Sequence, residues 1–250
     1  EVISARMKLV ELSLLQANNA EAKEILDALP ELQGPQAEYA IYLHTVYLNN
    51  TADYQGLQDY LKSKLPTFQN QYSKSQVYIF YLESMLYSNQ LQSFFKEALN
   101  AYAIMDRTPE FQNRLAGVIA QAYMNQGDYS QAYEFYAKKK ELAAALADGL
   151  GLRIALNGMG GACYRMGKKT EAWELYQEAL KVAEQTGDRN GYSKVMLNVG
   201  VSLKNEMRYE EAQECYNKAM LLAKKMGNLM QESILLFDIG EMQLVQGKHE

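Results

Sequence analysis

Residues 166–188 read MGKKTEAWELYQEALKVAEQTGD, and their outline returns forty residues earlier and forty residues later. Ala132, Ala172 and Ala212 stand forty apart, as do Tyr136, Tyr176 and Tyr216; Gly127, Gly167 and Gly247 share that grid, with Met207 at the remaining point. Ala120, Gly160, Gly200 and Gly240 make a further series. A period of this length marks a stacked-repeat architecture, in which each unit buries its apolar face only against its neighbours.

Each of the last three complete units splits into two amphipathic helices around a tight turn. In the quoted unit, IALNGMGGACYRMG supplies helix A and TEAWELYQEALKVAEQ supplies helix B, with MGKK between them. Leu156, Met159, Gly160 and Cys163 recur at helical spacing on A, and Ala172, Leu175, Tyr176 and Ala179 on B. Small residues at the contact points let two backbones approach closely. Composition agrees: 250 residues with only 4 prolines, rich in helix formers, and no alternating β-branched runs.

Net charge is −5. Residues 1–110 carry 8 basic and 13 acidic side chains, and 111–250 carry 17 of each, so nucleic acid is not an expected partner of this segment. Cys163 and Cys215 lack CxxC spacing and read as small buried thiols of a reducing compartment. No signal peptide opens the chain and no run of 18 apolar residues crosses it, so a cytoplasmic protein without membrane contact is expected. The chain starts EVISARMKLV without an initiator methionine and stops inside a repeat, which reads as a fragment of a longer polypeptide.

The small and aromatic residues of the grid resemble the tetratricopeptide repeat, a helix-turn-helix unit whose usual period is 34. Gly160, Gly167, Ala172, Tyr176 and Ala179 match its pattern; Gly200, Tyr209, Ala212, Tyr216 and Ala219 match it again. Ala120, Gly127, Tyr129, Ala132 and Tyr136 match less completely, because Lys139 stands where the last Ala belongs. Two further departures are the six extra residues per unit and Lys169 in place of an aromatic. The extra length is expected in the helices and in TGDRNG-type connections, marked at equal intervals by Asp148, Asp188 and Asn228. Upstream, three degenerate hairpins keep the rhythm, two of them closed by Pro30 and Pro66. The expected fold is therefore all-α: a right-handed α-solenoid of tetratricopeptide-like hairpins, degenerate over 1–110, regular over 111–250 with the last repeat truncated, and continuous throughout.

Catalytic chemistry finds no footing. The two histidines, His44 and His249, lie nearly a chain length apart without a second His or Cys at ligand spacing, so no zinc site or other cofactor is expected. GMGGACYRMGKKT misses the phosphate-loop spacing and follows no strand. Most of the 19 tyrosines are expected in the core.

A stack of hairpins has an inner wall lined by its A helices. With the core-facing positions turned inward, the residues placed on that wall are Arg114, Gln121 and Asn125; then Asn157, Tyr164 and Arg165; then Lys194, Asn198 and Asn205; and finally Asp238, followed by Glu241. Asn and Gln offer both donors and an acceptor, as an extended peptide backbone requires, and Arg165 or Lys194 can hold a carboxylate. The tetratricopeptide clamp for acidic C-terminal tails fits poorly: Asn198 matches its central Asn, but Ile234 and Asp238 stand where two basic residues are needed, and Gly161 where an Asn belongs. The longer period and the LNGMG and MLNVG segments of helix A resemble instead the sensor domains of the bacterial Rap/PlcR/NprR-like quorum-sensing family. That resemblance implies a short peptide in the groove and an N-terminal output domain, which reaches DNA in the transcriptional members, with a homodimer interface as a second point of control. The competing expectation is a scaffold that holds another protein's helix or tail.

Overall fold

The computed structural model describes residues 2–104 and 109–246; Gly247 of the turn series and His249 lie outside the described residues. Among the described residues there are thirteen α-helices and no strand. Contacts divide the chain into two units, Glu1–Phe111 and Gln112–Glu250. The first holds α1 (Val2–Leu15), α2 (Asn19–Asp27), α3 (Gly34–Asn50), α4 (Tyr54–Lys64), α5 (Gln71–Tyr87) and α6 (Leu91–Ile104), the degenerate hairpins. Next comes α7 (Pro109–Gln126), most of which belongs to the second unit, with α8 (Tyr129–Ala145), α9 (Gly149–Arg165), α10 (Lys169–Thr186), α11 (Arg189–Asn205), α12 (Tyr209–Met226) and α13 (Leu229–Val245). Here the odd-numbered helices are the A helices of the repeat and the even-numbered ones the B helices. The six extra residues do lengthen both helices of each repeat, to 17 or 18 residues.

One joint recurs between these helices. Gly127, Ala147, Gly167, Gly187, Met207 and Gly227, twenty residues apart, all have positive φ, and Ala17, Ala52 and Asn89 do so in the first unit. The residue after each sends its backbone N–H back across the helix end, as Asp148 does to the Ala143 carbonyl at 2.8 Å and Arg208 to the Leu203 carbonyl at 3.0 Å. Met207 keeps the backbone of the glycines on its grid, with φ +61°. A side chain in that region costs about 1 kcal/mol. That next residue is also the N-cap: Asp128, Asp148, Asp188 and Asn228 each accept from the backbone N–H three residues on, whereas Lys168 and Arg208 make no side-chain cap.

The equally spaced Asp residues do more than cap. Asp188 accepts from Gly191 N through one oxygen and from Arg153 Nε at 3.1 Å through the other, so the B-to-A joint is tied to the preceding A helix. One repeat earlier, Asp148 caps α9 at Gly151 N and accepts from Asn113 Nδ2 at 2.9 Å. Asn113 in turn receives Lys139 Nζ on its carbonyl and on its side-chain oxygen, both at 3.0 Å. The Lys139 departure thus has a partner network, and Gly117 makes room for its stem, since a Cβ there would stand 3.1 Å from Lys139 Cδ.

Helices A and B meet through the small-residue series. A Cβ on Gly160 would stand 2.8 Å from the Tyr176 ring and 3.3 Å from the Ala172 carbonyl oxygen; on Gly200 it would meet the Tyr216 ring at 2.6 Å. At Gly161, one residue on, the nearest atoms are Met124 Cε at 3.7 Å and Tyr176 Oη at 3.8 Å, ordinary contact distances. Neighbouring glycines therefore answer oppositely to one added methyl. Gly161→Ala gains about 0.5–1 kcal/mol from helix propensity alone. Gly160→Ala makes the same gain but loses about 1–3 kcal/mol to overpacking, so its urea midpoint falls while that of Gly161→Ala rises.

Candidate functional site

The A helices α9 and α11, with residues of α7, α8 and α10, enclose an open cavity of about 520 Å³. Of the ten wall residues from Arg114 to Asp238 placed from sequence, seven line it: Gln121, Asn157, Tyr164, Arg165, Lys194, Asn198 and Asn205. Three do not. Arg114 lies outside the lining, Asn125 is reached through Gln121 Nε2, which donates to Asn125 Oδ1 at 3.0 Å, and Asp238 accepts from Lys204 Nζ at 3.0 Å. Lys204 also donates to Glu241 at 2.8 Å, so both acids, in the second half of α13, are held in an ion-pair cluster with α11.

The lining residues are fixed by each other. Asn198 Nδ2 donates to Asn157 Oδ1 at 3.0 Å, joining α11 to α9. A pair joined by this one bond keeps both N–H donors of Asn157 and the side-chain oxygen of Asn198 for a third group. Arg165 lies with its guanidinium 5.0 Å from the Tyr129 ring centroid and donates to the Tyr129 hydroxyl from Nε at 3.0 Å and Nη2 at 2.6 Å. The Tyr164 hydroxyl donates to the Ser202 carbonyl at 3.0 Å, and that of Tyr136 to Gln121 Oε1 at 3.2 Å. Burial pushes the Tyr136 and Tyr176 phenols up to about 12, so both are neutral donors near pH 7.

Charge on the lining is one-sided. Arg153, Arg165 and Lys194 contribute, and no carboxylate of the described residues does. Arg153 is paired with Asp188, which leaves Arg165 and Lys194, both exposed, as the lining cations without a carboxylate of the lining beside them.

Periodic reasoning missed the apolar part of the cavity: Met124, Ile154, Gly158 and Val201. The grid held the signal, since Ile154 falls at the position of Lys194, and Gly158 at that of Asn198. A Cβ on Gly158 would strike the Tyr136 ring, so glycine here lets that ring reach the cavity.

The first unit carries two cavities of its own. One, about 600 Å³, is bordered by His44, whose ring stacks on Tyr60 at 4.4 Å and whose basicity is lowered chiefly by burial. The other, about 440 Å³, is walled by Tyr39, Tyr42 and Tyr72, the last of them well exposed. The expectation of core tyrosines describes Tyr136, Tyr176 and Tyr216, all buried, but not these rings. Among the described residues, no three of His, Cys, Asp and Glu gather as a metal site would require, and no helix is long and apolar enough to cross a membrane.

Residues 112–185 and 193–226 match family models for the tetratricopeptide repeat, and the second unit is built of such repeats. Known folds extend the likeness over nearly the whole chain. A Rap protein complexed with competence and sporulation factor aligns with 99% of this chain and 75% of its own at a TM-score of 0.75 and 15% identity. NprR in complex with its cognate peptide NprX aligns over 94% and 72%, with a TM-score of 0.61 and 18% identity. A signal-transduction ATPase with a tetratricopeptide repeat sensor from Pyrococcus horikoshii aligns over 97% and 41%, with a TM-score of 0.70 and 14% identity. At these identities the likeness is one of fold: the chain resembles the Rap and NprR peptide receptors as a helical-hairpin repeat protein. No curated protein matches its sequence.

Proposed function

We propose that the second unit is the peptide-binding sensor domain of a cytoplasmic bacterial regulator of the quorum-sensing, transcriptional type. Its ligand is a short extended peptide lying along the A helices. The half-open Asn157–Asn198 amide pair carries this reading: it offers the N–H groups of Asn157 as donors and the oxygen of Asn198 as acceptor, the set that a peptide backbone unit needs. Arg165 and Lys194, unopposed by any lining carboxylate, suit a carboxylate of the ligand, at a side chain or at the C-terminus. That two neighbours of the same fold are named as complexes with a signalling factor or a cognate peptide supports the reading. Control of an output domain or dimer interface then needs only a difference in peptide affinity between two arrangements of the hairpins.

The test is calorimetry with short peptides selected on the chain. Saturable binding is expected, and Asn157→Ala combined with Asn198→Ala should weaken it about tenfold or more, the loss of one to two net hydrogen bonds. Undiminished affinity in the double variant, with helicity intact, would remove the amide pair from the site. A scaffold for another protein's helix is the second reading, favoured by Leu236 and Phe237 of α13, which are 62% and 67% exposed; whole-protein partners, with no short-peptide binding, would decide for it.

A further inference from the structure

In two of the three complete repeats of the second unit, helix B opens on an aromatic residue, Tyr129 or Tyr209; in the middle repeat that position is Lys169. Tyr129 packs its ring under Arg165. Lys169 instead reaches outward, 3.5 Å from Glu206, with its side chain 61% exposed. Beside it lies a cavity of about 380 Å³ with a buried apolar floor of Ala172, Tyr176, Val199 and Leu203 and with Trp173 at its mouth. This cavity and the amide-lined groove share Tyr164, Tyr176 and Ser202, and the Tyr164–Ser202 hydrogen bond is part of the common wall.

We propose that the cavity is the anchor pocket of the groove, taking one large apolar side chain, of leucine or phenylalanine size, from the bound peptide. The inference rests on the groove being the peptide site. Three features carry it: the floor is apolar, the cavity is bordered by the lysine that stands where the sister repeats have a ring, and a chain lying in the groove is one shared wall away. Apolar anchors in a dry pocket supply most of a short ligand's affinity, while backbone amides set its direction.

Trp173 is the only tryptophan of the chain and stands at the mouth, so its emission reads occupancy directly. The probe is a randomised hexapeptide library displayed on phage and selected on the whole chain, followed by fluorescence titration of the retained peptides. Enrichment of Leu, Phe or Trp at one position, with a blue shift of Trp173 on binding, is expected. Lys169→Tyr, which restores the ring found at 129 and 209, should cost those peptides at least tenfold in affinity without loss of helicity. Thr170→Phe, at an exposed position on the rim, provides a second obstruction with the same expected loss. Retained peptides without an apolar preference, or with equal affinity for both variants, overturn the pocket and leave the groove standing. No retained peptide at all overturns the groove reading and the pocket with it.

Discussion

Asp188→Ala should lower the free energy of unfolding by about 3–5 kcal/mol, the loss typical of a buried ion pair stripped of one partner. Arg153 and Asp188 are 7% and 19% exposed, with Arg153 Nη2 3.1 Å from Asp188 Oδ2. Removing the carboxylate leaves a guanidinium enclosed without its counter-charge. The same substitution also takes away the cap of α11, since the other oxygen accepts from Gly191 N. A built-in control stands forty residues on. Asn228 caps α13 in the same way, but its amide meets Asn190, at 3.3 Å on the surface, where Asp188 meets a buried cation. Asn228→Ala should therefore cost about 1 kcal/mol, the value of a cap alone. Urea unfolding of the two variants would show it; equal losses would mean that the Arg153 contact adds nothing to the joint.

Lys139 predicts a pH dependence of comparable size. It is buried, and burial, more than any neighbour, brings its ammonium down to about 8. The groups that face it are the Asn113 oxygens, Asp148 behind Asn113, which favours the charge, and Arg114 and Arg153, which oppose it. Unfolded, the lysine titrates near its ordinary 10.5. Between the two values the unfolded chain holds a proton that the native chain has released, so stability rises with pH across that window, by about 3 kcal/mol in all. Below pH 8 both states are protonated, and this contribution is gone. Above pH 10 the buried Tyr136 and Tyr176, at about 12, act in the opposite sense, because the unfolded chain ionises its phenols first. The clean readout is thus the slope between pH 8 and 9.5 in the native chain minus that of Lys139→Met, which keeps the stem over Gly117 and cannot titrate. A difference of zero would show the ammonium to be as well solvated in place as in water.

Much of this was legible in the sequence, and the limits are instructive. Period, helix pairing and turn positions follow from residues whose size or backbone freedom is itself the signal: Gly160 and Gly200 against Tyr176 and Tyr216, or Gly127 and Gly167 at the joints. Wall positions follow from helical geometry, and seven of ten line the cavity. Which side chains engage one another is a different question. Asn157 and Asn198 are 41 residues apart, one step off the grid, so no periodic comparison couples them. Asp238 sits at a wall position, yet Lys204 on the adjacent helix holds it. Lys169 and Lys139 both read as blemishes in the pattern; one borders a cavity and the other nucleates a buried network, because the outcome depends on what faces them across a helix pair.

The left-handed residue at the six joints between its helices gives the second unit a further property. Because one joint serves both kinds of connection and returns after twenty residues, the chain is laid out in interchangeable lengths. Genetic duplication or loss of forty residues, cut at two equivalent joints, meets the same backbone on both sides of the splice and needs no new connection. Such a protein can change the length of its A-helix wall in whole steps while the chemistry of each step drifts independently.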